Sequence, residues 1–484
     1  MLPYKHLSNA EEDQEENGDR QRAKTAHALQ MVCLSVFLLL FLGASLFQSP
    51  TPPRRNHERK NHHGYQSSVN EFHSCEIQLV ETIPVGLNYT ENSPKFMSTF
   101  AAWTQLLNNA KNTIDIASFY WTLRGEDTGT NHSSTKQGEE IFNSLLANGD
   151  SSDITKRLKI RIAQSEPSSV SPNMDTKYLA SNGAADVVSI NMPKYFDGGV
   201  LHTKLWIVDG QHLYLGSANM DWRALTQVKE MGILVQDCPR LAEDVGKIFK
   251  AYWVLGSKQP DSLPSWDERV FGTDYTLENP LNLQLNGTIS MEGFISGAPP
   301  SLAPRKRTND LDAIIDVIDR AVLFVDIAVM DYYPLIIYEK SKHYWPYIDD
   351  AIRRAAVDRG VTVRLLISWW KHSNPSEDNY LRSLQQLTAP KENIRIEVRR
   401  FIVPVDPDQE SLPFTRVNHN KYMVTDRAAY IGTSNWSGDY FTNTAGIGLT
   451  LRETHDTESG QNIRQDLQSV FDRDWNSPYA HEFK

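Results

Sequence analysis

The chain writes one series twice: His-x-Lys, four residues, then Asp. The copies are VLHTKLWIVD over 200–209 and VNHNKYMVTD over 417–426. Imidazole changes charge near neutral pH, so it can act as nucleophile, acid or base. On an extended strand, residues two apart share a face. His202 with Lys204, and His419 with Lys421, would each present an imidazole beside an ammonium. Asp209 and Asp426 stand an odd number of positions from both partners. In a regular strand they face the other way, which suits holding a turn or binding backbone groups. Downstream lie LGSANMDWR (215–223) and IGTSNWSGDY (431–440). Each supplies a glycine, a hydroxyl residue and an amide. Ser217, Asn219, Thr433 and Asn435 are small donors able to line an oxyanion pocket without full charge, Asn219 and Asn435 foremost.

Doubling has a chemical reason. Cleaving a phosphodiester without a metal needs a nucleophile on phosphorus and an acid on the leaving oxygen. One neutral histidine attacks and becomes a phosphohistidine. The other gives its proton to the departing hydroxyl and then deprotonates water. Two lysines and two asparagines compensate the non-bridging oxygens. A single His-x-Lys is ordinarily a surface or core pair, and a single Gly-Ser-x-Asn a turn. Two full copies in matching places of two similar halves are hard to assign to chance. A duplicated scaffold without catalysis is the competing reading, and both intact His/Lys pairs weigh against it. The sequence has no HExxH, clustered Cys/His or EF-hand pattern, so the expected chemistry uses no metal and no cofactor.

The elements that must carry these residues also repeat. The first half has NTIDIASFYW (112–121), LKIRIAQSEP (158–167) and VVSIN (187–191). The second has AVLFVDIAVMDYY (321–333), VTVRLLISWW (361–370) and IRIEVRRFIVP (394–404). These β-branched runs have strand length. Helical stretches, GEEIFNSLLANG and WPYIDDAIRRAAVDRG, lie between the first two strands of each half, and the halves end alike in IFKAYW and VFDRDW. Strands alternating with helices predict an α/β protein of two similar α/β sandwich halves related by a pseudo-twofold, over 71–260 and 261–484, with loop composition near 255–300. Phe119, Tyr120 and Trp121 end one predicted strand, and Trp369, Trp370, Lys371 and His372 follow another. They could stack bases beyond the strand ends, or simply pack in the core and rim.

With 484 residues and a net charge of −11, the chain lacks the basic balance expected of a protein that wraps long nucleic acid. Any phosphate chemistry should use a small local pocket. Residues 28–47 (ALQMVCLSVFLLLFLGASLF) are uncharged and long enough to span a bilayer. They predict a transmembrane signal anchor between a cytosolic tail, 1–27, and a stalk, 48–70, open to protease cleavage. Sequons at Asn88, Asn131 and Asn286 favour a lumenal C-terminal side. Cys75 and Cys238 could form one disulfide there, or remain free buried thiols.

The pair resembles the double HxK(x)4D signature of the phospholipase D superfamily, over nearly all of 75–484. YLGSANMDWRALTQVKE, VNHNKYMVTD, YIGTSNWSGDYF and RDWNSPYA, behind an N-terminal anchor, are similar to the phospholipase D3 and D4 branch. That resemblance implies a type II glycoprotein passing through endoplasmic reticulum and Golgi to the endosome and lysosome lumen, where a cleaved soluble form is an alternative. It implies a 5′-to-3′ exonuclease on ends of single-stranded DNA and RNA, with lumenal phospholipid as a second substrate class. It makes His202, Lys204, Asp209, His419, Lys421 and Asp426 the catalytic set. Glu230 matches a carboxylate that in this superfamily can support the first histidine, with Thr444 in its place in the second half, so His202 is the expected nucleophile. Lipid hydrolase or transphosphatidylase, and non-catalytic lumenal glycoprotein, stay open as alternatives, as does a homodimer. The implied activity peaks on the acid side of neutral.

Overall fold

The β-branched runs pair into two half-sheets of the same strand order. The computed structural model describes residues 73–339, 341–454 and 462–483. In the first half the strands are β1 (His73–Thr82), β2 (Thr113–Ser118), β3 (Lys159–Ser165), β4 (Asp186–Ile190), β5 (Leu205–Val208), β6 (His212–Gly216) and β7 (Glu230–Gln236). They line up as β1–β7–β6–β5–β2–β3–β4. In the second half they are β8 (Ile289–Ala298), β9 (Phe324–Val329), β10 (Thr362–Ser368), β11 (Ile396–Phe401), β12 (Lys421–Thr425), β13 (Ala428–Gly432) and β14 (Gly446–Glu453). Their order is β8–β14–β13–β12–β9–β10–β11. In each half three strands run parallel, namely β2, β3, β4 and β9, β10, β11, as helix-connected crossovers require. The strand Leu281–Leu285 pairs with both β1 and β8 and joins the half-sheets. The loop composition near 255–300 is therefore only partly loop: 289–298 is a strand paired on both sides, with Leu281–Leu285 and with β14, and it is buried throughout from Gly293 on.

Six longer helices complete the layers: α1 (Thr99–Asn109), α2 (Lys136–Gly149), α3 (Pro239–Lys258), α4 (Asp310–Arg320), α5 (Tyr347–Arg359) and α6 (Ile463–Trp475). Helices α1 and α2 cover the outer face of the first half-sheet, and α4 and α5 that of the second. The central core is shared. It joins Leu205 and Ile207 of β5, Tyr422 and Val424 of β12, Phe249 of α3 and Phe471 of α6.

The matching ends of the two halves have a common job. Arg161 of β3 pairs with Asp115 of β2, and Arg364 of β10 with Asp326 of β9. Each guanidinium also lies over a stacked Phe/Trp pair one helical turn apart: Phe249 and Trp253 under Arg161, Phe471 and Trp475 under Arg364. This arginine reaches from the parallel strands to the last helix, with the ion pair and cation–π contact both partly shielded from water.

The predicted tail 1–27, anchor 28–47 and stalk 48–70 lie outside the described residues. Among the described residues no helix is long and apolar enough to cross a membrane. Asn88, Asn131 and Asn286 are all exposed. Cys75 of β1 and Cys238, at the start of α3, form a disulfide that closes a separation of 163 residues. A crosslink over so long a loop removes much freedom from the unfolded chain. Cys75→Ser or Cys238→Ser should cost about 2–5 kcal/mol, read as a lower midpoint of thermal unfolding. Reductant should lower the parent to the same midpoint and leave either variant unmoved.

Candidate active site

Each histidine sits just before the strand that follows it, in a short extended connector clamped by the opposite half. The His202 amide donates to Ala445 O at 2.8 Å, and the His419 amide donates to Lys229 O at 2.8 Å. The return bonds are Ala445 N to Val200 O and Lys229 N to Val417 O, both 2.9 Å. The N-terminal end of β7 thus holds the second histidine, and that of β14 the first. Ser165 and Ser368, the last residues of β3 and β10, repeat the logic. Their hydroxyls accept from Leu201 N at 3.3 Å and Asn418 N at 3.1 Å, next to each histidine.

This exchange corrects the expected role of Glu230. Its carboxylate accepts from His419 Nδ1 at 2.9 Å, not from His202. His202 Nδ1 instead donates to the backbone O of Thr433 at 2.8 Å. The position matching Glu230 is not Thr444. Gly216 pairs with Gly232 and Gly432 with Gly448, so the register sets Glu230 opposite Gly446. A Cβ at Gly446 would meet Ser434 Oγ at 2.2 Å, so no carboxylate fits there. The two imidazoles therefore have different partners, one a charged carboxylate and one a neutral carbonyl. With Nδ1–H committed in both, each Nε2 is left for substrate.

Both histidines line one cavity of about 380 Å³. Lys204 Nζ donates to His202 O at 2.7 Å and Lys421 Nζ to His419 O at 2.8 Å, so each lysine folds back beneath its own histidine. Both lysines are buried, and that burial drives the electrostatics. It pulls the Lys204 ammonium well below its ordinary range, helped by Lys421. It lowers Lys421 to about 8, against the pull of Glu230 and Asp331. Burial and the two lysines hold His202 well below the ordinary imidazole range. Burial also lowers His419, but Glu230 opposes the shift. Burial leaves these cations poorly solvated, and an entering phosphodiester anion stabilises each of them.

The other predicted residues divide. Asn219 and Asn435 line the cavity. Asn435 Nδ2 donates to Asp331 Oδ2 at 3.1 Å and to Tyr440 OH at 3.2 Å, while Asn219 Nδ2 donates to Tyr120 OH at 3.4 Å. Ser217 does not face the cavity as a phosphate donor; its hydroxyl donates to Glu230 Oε2 at 2.5 Å and fixes that carboxylate. Thr433 contributes its backbone carbonyl, and its hydroxyl is used within the β13–β14 pairing, accepting from Ile447 N at 3.0 Å. Asp209 and Asp426, grouped with the catalytic set by resemblance, lie away from the reacting atoms. Asp209 accepts from the amides of Lys111, Asn112 and Thr113, and Asp426 from those of Val322, Leu323 and Phe324. They tie the starts of β2 and β9 to the ends of β5 and β12, the backbone-holding task that strand parity indicated.

Three residues were missed. Asp331 and Tyr440 line the cavity, and Asp221 accepts from Tyr120 OH at 2.9 Å. Asp331 occupies the place that Tyr120 holds in the other half, two residues past the matching strand. Burial pushes its carboxyl up to about 6, although Lys421 and Arg400 oppose this. The signal was available in the side-by-side FYW and MDYY, where one aromatic faces one acid. Of the aromatics proposed to stack bases, Phe119, Tyr120 and Trp370 do line the cavity. Trp121 is fully buried in the first half's outer core. Among the described residues no group of three or more His, Cys, Asp or Glu is placed to hold a metal ion.

Comparison with known proteins gives a consistent match. The family model described as PLD3/4, PLD-like domain matches residues 90–406. A Xenopus tropicalis protein named 5'-3' exonuclease PLD3 is 48% identical over 410 residues, covering 84% of this chain and 81% of its own length. The Homo sapiens protein of that name is 47% identical over 412 residues, covering 85% and 81%. A Mus musculus protein named 5'-3' exonuclease PLD4 is 42% identical over 412 residues, covering 84% and 79%. A duplicated His/Lys half-site closed across two like halves, together with this likeness along most of its length, places the chain in the PLD3/4 family of phospholipase D-like proteins.

Proposed function

We propose that the chain is a phosphodiesterase acting as a 5′-to-3′ exonuclease on single-stranded DNA and RNA through a phosphohistidine. The observation that carries the chemistry is the meeting of His202 and His419 in one cavity with unlike Nδ1 partners. The names of the relatives support the nucleolytic direction.

His419 is assigned the attack. Its Nδ1–H points at the Glu230 carboxylate, which stabilises the positive charge that develops as Nε2 bonds to phosphorus. His202, protonated once the phosphodiester anion offsets the lysines, gives its Nε2 proton to the departing oxygen. The P–O bond breaks, and the phosphoryl group stays on His419. In the second step neutral His202 takes a proton from water, whose oxygen attacks phosphorus. The P–N bond breaks, and a phosphomonoester leaves with both histidines restored. Lys204, Lys421, Asn219 and Asn435 are the groups available to the non-bridging oxygens. All of these roles are filled by side chains of the chain itself.

Placement is proposed on separate grounds. The exposed sequons and the Cys75–Cys238 disulfide support a lumenal catalytic part, behind an anchor at 28–47. Endoglycosidase treatment should sharpen and lower the apparent mass of the expressed full chain. Asn88→Gln, Asn131→Gln and Asn286→Gln together should abolish that shift.

Activity tests follow from the unlike histidines. With a 5′-labelled single-stranded oligonucleotide, His202→Ala and His419→Ala should each lower kcat by about 10²- to 10⁴-fold or more, and Glu230→Gln should fall in the same range with the fold unchanged. With bis(p-nitrophenyl) phosphate, whose leaving group needs no proton, His202→Ala should accumulate phosphoenzyme on His419. Phosphate found on residue 202 in the His419→Ala variant would reverse the assignment.

The pH dependence has a definite sign. Below about 6 Asp331 is neutral and leaves the phosphate site cationic; above it the carboxylate repels the substrate and holds Asn435. KM should rise as pH increases through 6, and Asp331→Asn should flatten that rise. Equal KM profiles for parent and variant over pH 4–8 would remove Asp331 from this role.

A further inference from the structure

A second cavity, of about 770 Å³, adjoins the catalytic one, and Trp370 and Phe414 line both. Its aromatic groups are already arranged as a stack. The His372 ring lies on Phe414 at 4.9 Å and 23°, and Trp370 meets His372 edge-on at 4.7 Å and 73°. Phe414 is 61% exposed and is held at φ 54°, a left-handed conformation rare for a bulky side chain. Such strain persists only where surrounding structure imposes it. Arg416, two residues on, shares that conformation at φ 60° and is anchored at 4% exposure by bonds to Pro404 O, Val85 O and Gln227 Oε1. The anchored arginine fixes the short segment that leads to His419 and keeps the Phe414 ring turned outward.

The stack belongs to one half only. After β10 the chain reads Trp369-Trp370; after the matching β3 it reads Glu166-Pro167. Five residues before His419 stands Phe414, and five before His202 stands Asp197. A pseudo-twofold pair of half-sites would accept a strand in either direction, and a one-sided wall removes that equivalence. Of the charged side chains in its lining, Lys371 and Glu410 are opposite in sign, and the Arg416 guanidinium is bonded to Pro404 O, Val85 O and Gln227 Oε1. Its recognition therefore rests on flat apolar faces and not on capture of phosphate.

We infer that Phe414, His372 and Trp370 form a stacking platform for unpaired bases of the strand whose phosphodiester lies between His202 and His419. The inference rests on the nuclease reading and adds the subsite that makes cleavage depend on strand length. Unpaired bases stack on aromatic side chains with little sequence preference, whereas duplex bases have no free faces to offer.

The test compares thymidine oligonucleotides of two to eight residues with bis(p-nitrophenyl) phosphate on the expressed full chain. In the parent, kcat/KM should climb with length. Phe414→Ala and His372→Ala should each lower the octamer-to-small-diester ratio of kcat/KM by about ten- to hundredfold. Phe414→Trp should restore it and Phe414→Leu should not, which separates an aromatic face from mere bulk. If oligonucleotides are cut but both alanine variants keep the parent's length profile, the platform is wrong and the nuclease reading stands. If the small diester is cut and no oligonucleotide is, the nuclease reading falls and the platform with it.

Discussion

The structure depends on a reciprocal pair of backbone bonds: the amide of each histidine is held by a carbonyl of the opposite half. Neither half owns a complete site. The first lends the start of β7 to His419, and the second lends the start of β14 to His202. A bond between amide and carbonyl has a narrow range of length and direction, so two of them, related by the pseudo-twofold, fix where the imidazoles stand. The shared core beneath serves the same end. It interleaves β5 and β12 with α3 and α6, so the halves cannot slide without opening it.

On that frame, departures from symmetry carry the chemistry. Glu230 has Gly446 as its counterpart, so one imidazole gains a carboxylate and the other a carbonyl. Tyr120 holds Asn219 and Asp331 holds Asn435, so one asparagine has a phenol as partner and the other a carboxyl raised to about 6. The buried lysines make protonated histidine costly until an anion arrives. The two imidazoles stand in unequal environments, which is what a division into nucleophile and acid requires. The net charge of −11 poses no difficulty for such a pocket, which grips one phosphodiester at a strand end.

The outer elements follow a simpler rule. The paired arginines, Arg161 and Arg364, link parallel strands to the closing helix of their own half by an ion pair and a ring contact. These pairs are nearly identical in the two halves because they hold layers together and meet no substrate. Where the chain does meet the cavity, the halves differ in almost every side chain around the histidine, lysine and asparagine.

The doubled His-x-Lys, the strand-length apolar runs and the Phe/Trp helix ends were legible in one dimension. A local period decides which residues share a face, and a repeat shows itself by its spacing. The structural task of Asp209 and Asp426 was readable in the same way, from the parity of a strand. Partnership was not. The family resemblance gave the carboxylate to His202 and set Thr444 in its place in the second half, whereas the glycine pairs Gly216–Gly232 and Gly432–Gly448 put Gly446 there. Residue order alone therefore singled out the doubled histidines and lysines. Only the folded chain decided which histidine receives Glu230, because that contact crosses between halves, where register and not sequence distance sets what touches.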